Sequence, residues 1–535
     1  MEIKNISSIE EWDDGGKLTM RNGYPHLPKE KRKTIFLLSD DLRMSSGVGT
    51  MSREIVLGTA HYYNWIQIAG AINHPEQGKR VDVSGAVNEE IGIDDSYVML
   101  YPMHGYGSID IIRAIQKIEN PDAIIPYTDP RFWSWLFAHE LELRQKMPIF
   151  FYHVWDDIPF PKYNEFFYES CDWIGCISKQ TYNIVKNVWK TNPPQPWQVT
   201  YIPHGINETL FYPVNEQNTG KLQKLLTGKK TKDADGKEVD EILFKTDFDI
   251  YQETKQRLLG NETYDFVVLY VNRNVRRKMT NDVILAFNKF CNDLPPEKAK
   301  RCALVMHTAI VDEAGTNLKA VIDDLEIKHR IVFSDQRIEP KFMNIIFNIA
   351  DVTVNIASNE GFGLGTAESL MAGTPIVVNV TGGLSDQCGF VKDDGTYLTI
   401  DDYNESWGSN HDGRYTKHGE WVKPVFPVSL SLQGSVPTPY IMDDRCDWVD
   451  VAYAFRYWYD LGPEERKRCG LAGRDYCMNN NIGFTASEMC RRFIFDMDNA
   501  FKQWKPRKRF HLHKVEDKKD ARPLYIPEPR RRENP

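Results

Sequence analysis

Residues Asp351–Asn379 read D-V-T-V-N-I-A-S-N-E-G-F-G-L-G-T-A-E-S-L-M-A-G-T-P-I-V-V-N. Val352, Val354 and Ile356 alternate as on a strand. Ser358–Gly361 is turn chemistry, and Gly363 and Gly365 let backbone approach a ligand. Thr366–Ala372 suits a short helix, stopped by Gly373 and Pro375, and Ile376–Val380 is a second buried strand. A glycine turn feeding a helix presents N–H groups and the positive end of a dipole, which suits phosphate. Glu360 and Glu368 bracket that turn. Carboxylates do not bind phosphate; they accept hydrogen bonds from sugar or ribose hydroxyls. Strand, turn, helix and strand in this order make one unit of a parallel α/β sheet.

Working outward, Phe266–Val271, Ala303–His307 and Ile331–Phe333 are apolar runs of the same sheet. Upstream lie Thr34–Ser39, His61–Gly70, Val98–Pro102, Ala123–Pro126, Ile149–His153 and Ile174–Ser178, strand candidates of a first α/β unit. After the first of these, Gly47 and Gly49 sit in a loop, with a helix expected from about Thr50. Ser108–Glu119 is a helix with Ile111, Ile112, Ile115 and Ile118 at helical spacing. Expected boundaries are an extension over 1–33, a first domain over 34–214 and a charged insertion over 215–260. A second domain spans 261–484, with a further insertion or cleft-mouth loop at about 394–444. A long helix covers 485–504 and a basic tail 505–535.

The chain has 535 residues, enough for two such domains. It is 41% hydrophobic and 26% charged with net charge −9, so nothing draws it globally to nucleic acid or anionic membrane. Nine scattered cysteines suit a reducing compartment. The N-terminus does not read as a signal peptide and no run has the length of a membrane span, so the expected location is the cytoplasm. Asp247-Phe248-Asp249 and Asp496-Met497-Asp498 each form D-x-D, but neither ends a core strand, and both are expected on solvated faces with no metal implied. Asp156 and Asp157 are read as a turn cap.

The central string resembles the C-terminal motif of the family 4 retaining glycosyltransferases: E-G-F-G-L, a second Glu eight residues after the first, then A-G-x-P-[IV]-V. Arg273 and Lys278 keep that family's R-x-x-x-x-K spacing, and Y-I-P-H-G-I-N resembles its V-I-P-N-G-V-D segment, with His204 where Asn is usual. The resemblance covers most of the chain between Thr34 and Trp504. It implies a GT-B fold, two Rossmann-like domains facing each other across a cleft, with the last helix crossing back to the first domain.

It also implies roles. Arg273 and Lys278 would neutralise the leaving diphosphate, helped by backbone N–H groups at Gly363 and Leu364, with Gly361 and Phe362 also in the donor site. Glu360 would hold donor-sugar hydroxyls, Glu368 the ribose, and Gly47 and Gly49 would lie beside the diphosphate. His153 would stand near the donor sugar. The co-substrate would be a nucleotide sugar, UDP-linked by the family's habit, with no other cofactor. Base contacts are expected from Met306–Thr308 and Asp335–Arg337.

Leu37–Thr59 also looks like glycosyltransferases of tailed bacteriophages. That likeness makes hydroxymethylated cytosine in viral DNA an acceptor candidate, in the host cytoplasm. Basic clusters at Lys29–Lys33, Lys505–Arg509 and Arg530–Arg532 are compatible with it. A glycan or lipid-linked acceptor is the alternative, and a non-catalytic nucleotide-sugar-binding protein a third reading.

Overall fold

The structure, a computed structural model, describes residues 20–71, 74–214, 222–232, 238–334, 338–407 and 413–508. Two parallel sheets carry it. In the first, the strand order runs Val81–Asp82, Val98–Pro102, Tyr63–Gly70, Lys33–Asp40, Ala123–Pro126. Parallel bridges from Ile124 to Ile149 and Tyr127 to Tyr152 continue it into Phe150–His153, Trp173–Cys176 and Val199–Tyr201. Only Val81–Asp82 runs antiparallel. The second sheet has six parallel strands ordered Arg330–Phe333, Cys302–His307, Phe266–Val271, Val352–Asn355, Ile376–Asn379, Val422–Val425.

Each strand is an apolar run because helices cover both faces. All of Tyr63–Gly70 and Val352–Asn355 is buried. In both sheets the chain order reverses beside the first strand, between Lys33–Asp40 and Ala123–Pro126, and between Phe266–Val271 and Val352–Asn355. Ligands of doubly wound sheets bind outside the carboxyl ends of strands at such reversals.

Helix Ala486–Gln503 returns to the first sheet. Tyr62 and Tyr63 donate their hydroxyls to Asp498 at 2.7 and 2.8 Å, and Phe493 packs on Tyr152. Gly58 is required here, since a Cβ would lie 2.2 Å from Cys490 Sγ. The second D-x-D is therefore no solvated face; Asp498 is a tie between helix and sheet. In the first D-x-D, Asp249 closes a capping box with Thr246, and Asp247 accepts from the Tyr212 hydroxyl.

Other expectations shift. The first glycine loop is already helix: Gly47–Thr59 starts at Gly47, capped by Ser46, whose Oγ accepts from Gly49 N at 3.0 Å. Ile118 is exposed, while Ile112 and Ile115 carry the buried face. The charged insertion contains an antiparallel hairpin, Leu222–Lys232 with Glu238–Thr246, before helix Asp247–Leu259. The 394–444 stretch supplies a core strand, Val422–Val425, and most of a second hairpin, Ser429–Ser435 with Thr438–Arg445.

Arg144 illustrates how the first domain is fixed. Its side chain is 2% exposed and reaches Asp172 (2.7 Å), Glu140 (2.9 Å) and the Glu169 carbonyl (3.0 Å). Arg144→Ala leaves the buried Asp172 carboxylate without its cation. The expected loss is about 3–5 kcal/mol, read as a lower urea midpoint.

Candidate active site

The two strand-order reversals face each other, and a cleft of about 740 Å³ lies between them. That volume suits a small-molecule ligand. On the second-domain bank, the loop after Phe266–Val271 brings Arg273, Arg277 and Lys278, and the loop after Val352–Asn355 brings Glu360 through Gly365. On the opposite bank stand Ser46, Gly47, Tyr127, Arg131, Asp156 and Asp157.

Lys278 and Glu360 form an ion pair whose side chains are 8% and 14% exposed. Burial lowers the Lys278 pKa, with Glu360 opposing. For Glu360 burial works upward, but the charges of Lys278 and Arg277 outweigh it and hold the carboxyl below its ordinary value. The lysine charge thus favours the Glu360 carboxylate, while burial works against the lysine's own charge. Arg273 is 69% exposed on its side chain and pairs with Asp312 at 2.8 Å, so it reaches the rim of the cleft. Arg277 donates to the Asn359 carbonyl at 2.7 Å and its own carbonyl accepts from Ser358 N at 2.8 Å, which ties the cationic loop to the Glu360 turn.

The glycines of the turn serve the approach of protein to protein as much as of ligand. A Cβ on Gly361 would lie 3.0 Å from the Val154 carbonyl, and one on Gly47 would lie 3.2 Å from Leu364 Cδ1. Gly363 sits at φ +89° as the N-cap of helix Leu364–Met371. That helix has no side-chain cap, its leading N–H groups have no intrahelical acceptor, and its first residues Leu364 and Gly365 line the cleft. Gln387 pins the turn, donating to the Phe362 and Gly363 carbonyls at 2.7 and 2.9 Å.

Some anticipated residues fall elsewhere. His153 is fully buried, its Nε2 2.9 Å from the Tyr168 hydroxyl, and burial pulls its pKa down to about 3. It is a neutral core histidine; the chain emerges into the cleft only at Val154. Gly49 does not line the cleft: a Cβ there would lie 2.7 Å from the Met44 carbonyl, so its role is packing. Glu368 lies one helical turn beyond Gly365 on the same helix, half-buried and beside the cleft lining rather than in it, and burial pushes its carboxyl up to about 8. Of the base-contact loops, Thr308 is buried, and 335–337 lie outside the described residues.

Sequence reasoning missed several groups. His204 lines the cleft, held by the Tyr152 hydroxyl at 2.8 Å and packed on Phe362. Asp157 accepts from Asn359 Nδ2 across the domain junction, so Asp156 and Asp157 are more than a turn cap. The hairpin Ser429–Arg445 closes one side of the cleft with Gln433, Gly434, Ser435 and Thr438. Its polar–apolar alternation up to a turn at Val436–Pro437 was the available signal. A further tie between domains is Asp386, which accepts from Lys179 N at 3.0 Å and the Tyr201 hydroxyl at 2.9 Å.

Residues 252–405 match the family model described as Glycosyl transferases group 1. Similar solved structures include sucrose-phosphate synthase from Thermosynechococcus elongatus, at 14% identity over 88% of this chain and 100% of that one, TM-score 0.58. Anabaena Alr3699/HepE in complex with UDP and glucose is 12% identical over 88% and 100% of the two chains, TM-score 0.55. A glycosyltransferase from Rickettsia africae ESF-5 is 12% identical over the same shares, TM-score 0.56. The fold is GT-B. No curated protein sequence matches the chain. Among the described residues no helix is long and apolar enough to cross a membrane, and no group of three or more metal-ligating side chains occurs.

Proposed function

We propose that this protein is a retaining glycosyltransferase that moves a sugar from a UDP-sugar to an acceptor hydroxyl. The observation that carries the reading is the buried Lys278–Glu360 contact at one strand-order reversal, with Arg273 and Arg277 beside it and the other domain's reversal opposite. The group 1 match over 252–405 supports it, and UDP as nucleotide draws on the complex named for Anabaena HepE.

In this reading Arg273, Arg277 and Lys278 supply the positive charge that the departing diphosphate needs, without a metal being required. The N–H groups around Gly363 and Leu364 add to it. Glu360 holds hydroxyls of the sugar. The bond between anomeric carbon and phosphate oxygen breaks while the acceptor oxygen bonds to the same face. The acceptor's proton passes to the phosphate oxygen, so no protein nucleophile is needed. Phe362 and Gly361 shape the turn, and Gly47 lets the first domain close upon it.

Hydroxymethylated cytosine in DNA stays among the acceptors to be tried, with weaker support. Arg32 in the Lys29–Lys33 cluster is 5% exposed and bonds the Leu27 and Ala60 carbonyls and Asp95. Residues 509–535, with Arg530–Arg532, lie outside the described residues. A non-catalytic binding protein is disfavoured because Arg273, Lys278, Glu360 and Glu368 are all present.

Calorimetric titration with UDP tests the reading. UDP is expected to bind, and Glu368→Ala to weaken it about tenfold through loss of ribose hydrogen bonds. Burial raises the Glu368 carboxyl to about 8, toward its protonated form. Hydroxyl donors favour the carboxylate, so binding should release protons, seen as a dependence of the heat on buffer. Undetectable UDP binding would remove the donor assignment.

A further inference from the structure

Asp156 stands where the two domains meet over the donor turn. Its Cβ is 3.1 Å from where a Cβ on Gly382 would be, and that same position lies 2.2 Å from the Glu360 carbonyl oxygen. Only glycine at 382, at φ +48°, lets the first-domain aspartate sit this close to Glu360. Asp156 lines the cleft, and among the described residues its side chain meets no hydrogen-bond donor but its own backbone N–H. The charges facing it are Arg277 and Lys278, Glu360, and the neighbouring Asp157, which Asn359 already engages.

The rest of this bank is committed. Arg131 pairs with Asp129, donates to Thr438 on the hairpin and stacks on Trp155. The hairpin is anchored to the first domain by Met442 N to the Ile158 carbonyl (2.8 Å) and Tyr163 hydroxyl to the Tyr440 carbonyl (2.7 Å). It is anchored to the second domain by Ser358 Oγ to Asp443 (2.5 Å). The wall opposite the donor turn therefore presents carboxylate, with its one arginine already paired to Asp129.

Resting on the transfer reaction proposed above, we infer that Asp156 is the acceptor-binding residue. Its carboxylate accepts a hydrogen bond from a hydroxyl or amine next to the attacking oxygen, and the acceptor enters as an uncharged, donor-rich group rather than a phosphate. When water is the acceptor, one of its O–H groups donates a hydrogen bond to Asp156 and stays on the product's anomeric hydroxyl, while the other proton passes to the phosphate oxygen whose bond to the anomeric carbon breaks. Burial, then the charge of Glu360, raises the Asp156 pKa above the ordinary aspartate value. The contribution is thus lost toward the acid end of the pH range, as the carboxylate takes a proton.

The test needs no knowledge of the natural acceptor. UDP release is followed with UDP-glucose, or whichever nucleotide sugar is cleaved fastest, from pH 5 to 8 without added acceptor. Asp156→Asn is expected to slow release about tenfold to a hundredfold at pH 7.5. UDP affinity should stay within about twofold, and the acid limb should vanish. Asp156→Glu should retain the limb, and Asp156→Ser serves if the Asn variant does not bind UDP. Glucose 6-phosphate should accelerate release no more than glucose does. Asp156→Asn matching wild type at every pH, or selective acceleration by the phosphate ester, would overturn the inference. A wild-type protein that cleaves no donor overturns the transfer reaction itself.

Discussion

Lys278→Ala is expected to lower turnover by about 10²–10³ while changing UDP affinity much less, because the lysine acts chiefly on charge that grows as the diphosphate departs. It should also destabilise the protein. Lys278 and Glu360 are both almost wholly buried and paired with each other. Deleting the cation leaves a buried carboxylate without its main partner, which costs about 3–5 kcal/mol. Asn355 Nδ2 at 3.5 Å is too distant to replace it. The two effects separate in a double variant. Lys278→Ala with Glu360→Gln should regain much of the stability, because no uncompensated charge remains, yet stay inactive. Steady-state kinetics and urea unfolding on the three proteins check this. Restored turnover in the double variant would mean that the pair is structural only.

Gly382→Ala should impair activity far more than stability. The residue sits at φ +48°, where an L side chain is strained by about 1–2 kcal/mol. Its Cβ would also press on the Glu360 carbonyl at 2.2 Å. That carbonyl cannot yield freely, since it accepts from Gly383 N at 2.9 Å. Either the turn carrying Glu360 moves or the first domain backs away from it, and misplacement of reacting groups by about 1 Å costs about a hundredfold. Gly395→Ala is the control: φ is +83°, but nothing lies within 4 Å of the new Cβ. Matched kinetics for the two variants would show that the close approach at Gly382 does not matter.

The fold was readable because both sheets are parallel and covered on both faces, so their strands appear as uninterrupted apolar runs such as F-V-V-L-Y-V and I-F-F-Y-H. The same property hid which side chains face the cleft. On a strand buried on both sides, apolarity does not mark a direction, and His153 at a strand end looked like a site residue although its ring points into the core. Val422–Val425 escaped because Pro424 argues against a strand; it is tolerated at the sheet edge, where its missing N–H breaks no ladder. Glu360 and Lys278 were legible from their motifs, which lie in one domain. Asp156, Arg131 and the Ser429–Arg445 hairpin were not, since they join the site only when the two domains close, through contacts more than 80 residues apart in sequence.

The most direct test of the central claim is nucleotide release from a panel of nucleotide sugars. Each is offered with water alone, simple sugars, glycans, lipid acceptors and DNA containing hydroxymethylcytosine. At least one donor should be cleaved by the wild-type protein, with the configuration at the anomeric carbon retained in the product, and Lys278→Ala should suppress that release. No cleavage of any donor with any acceptor, or an inverted product, would contradict the account.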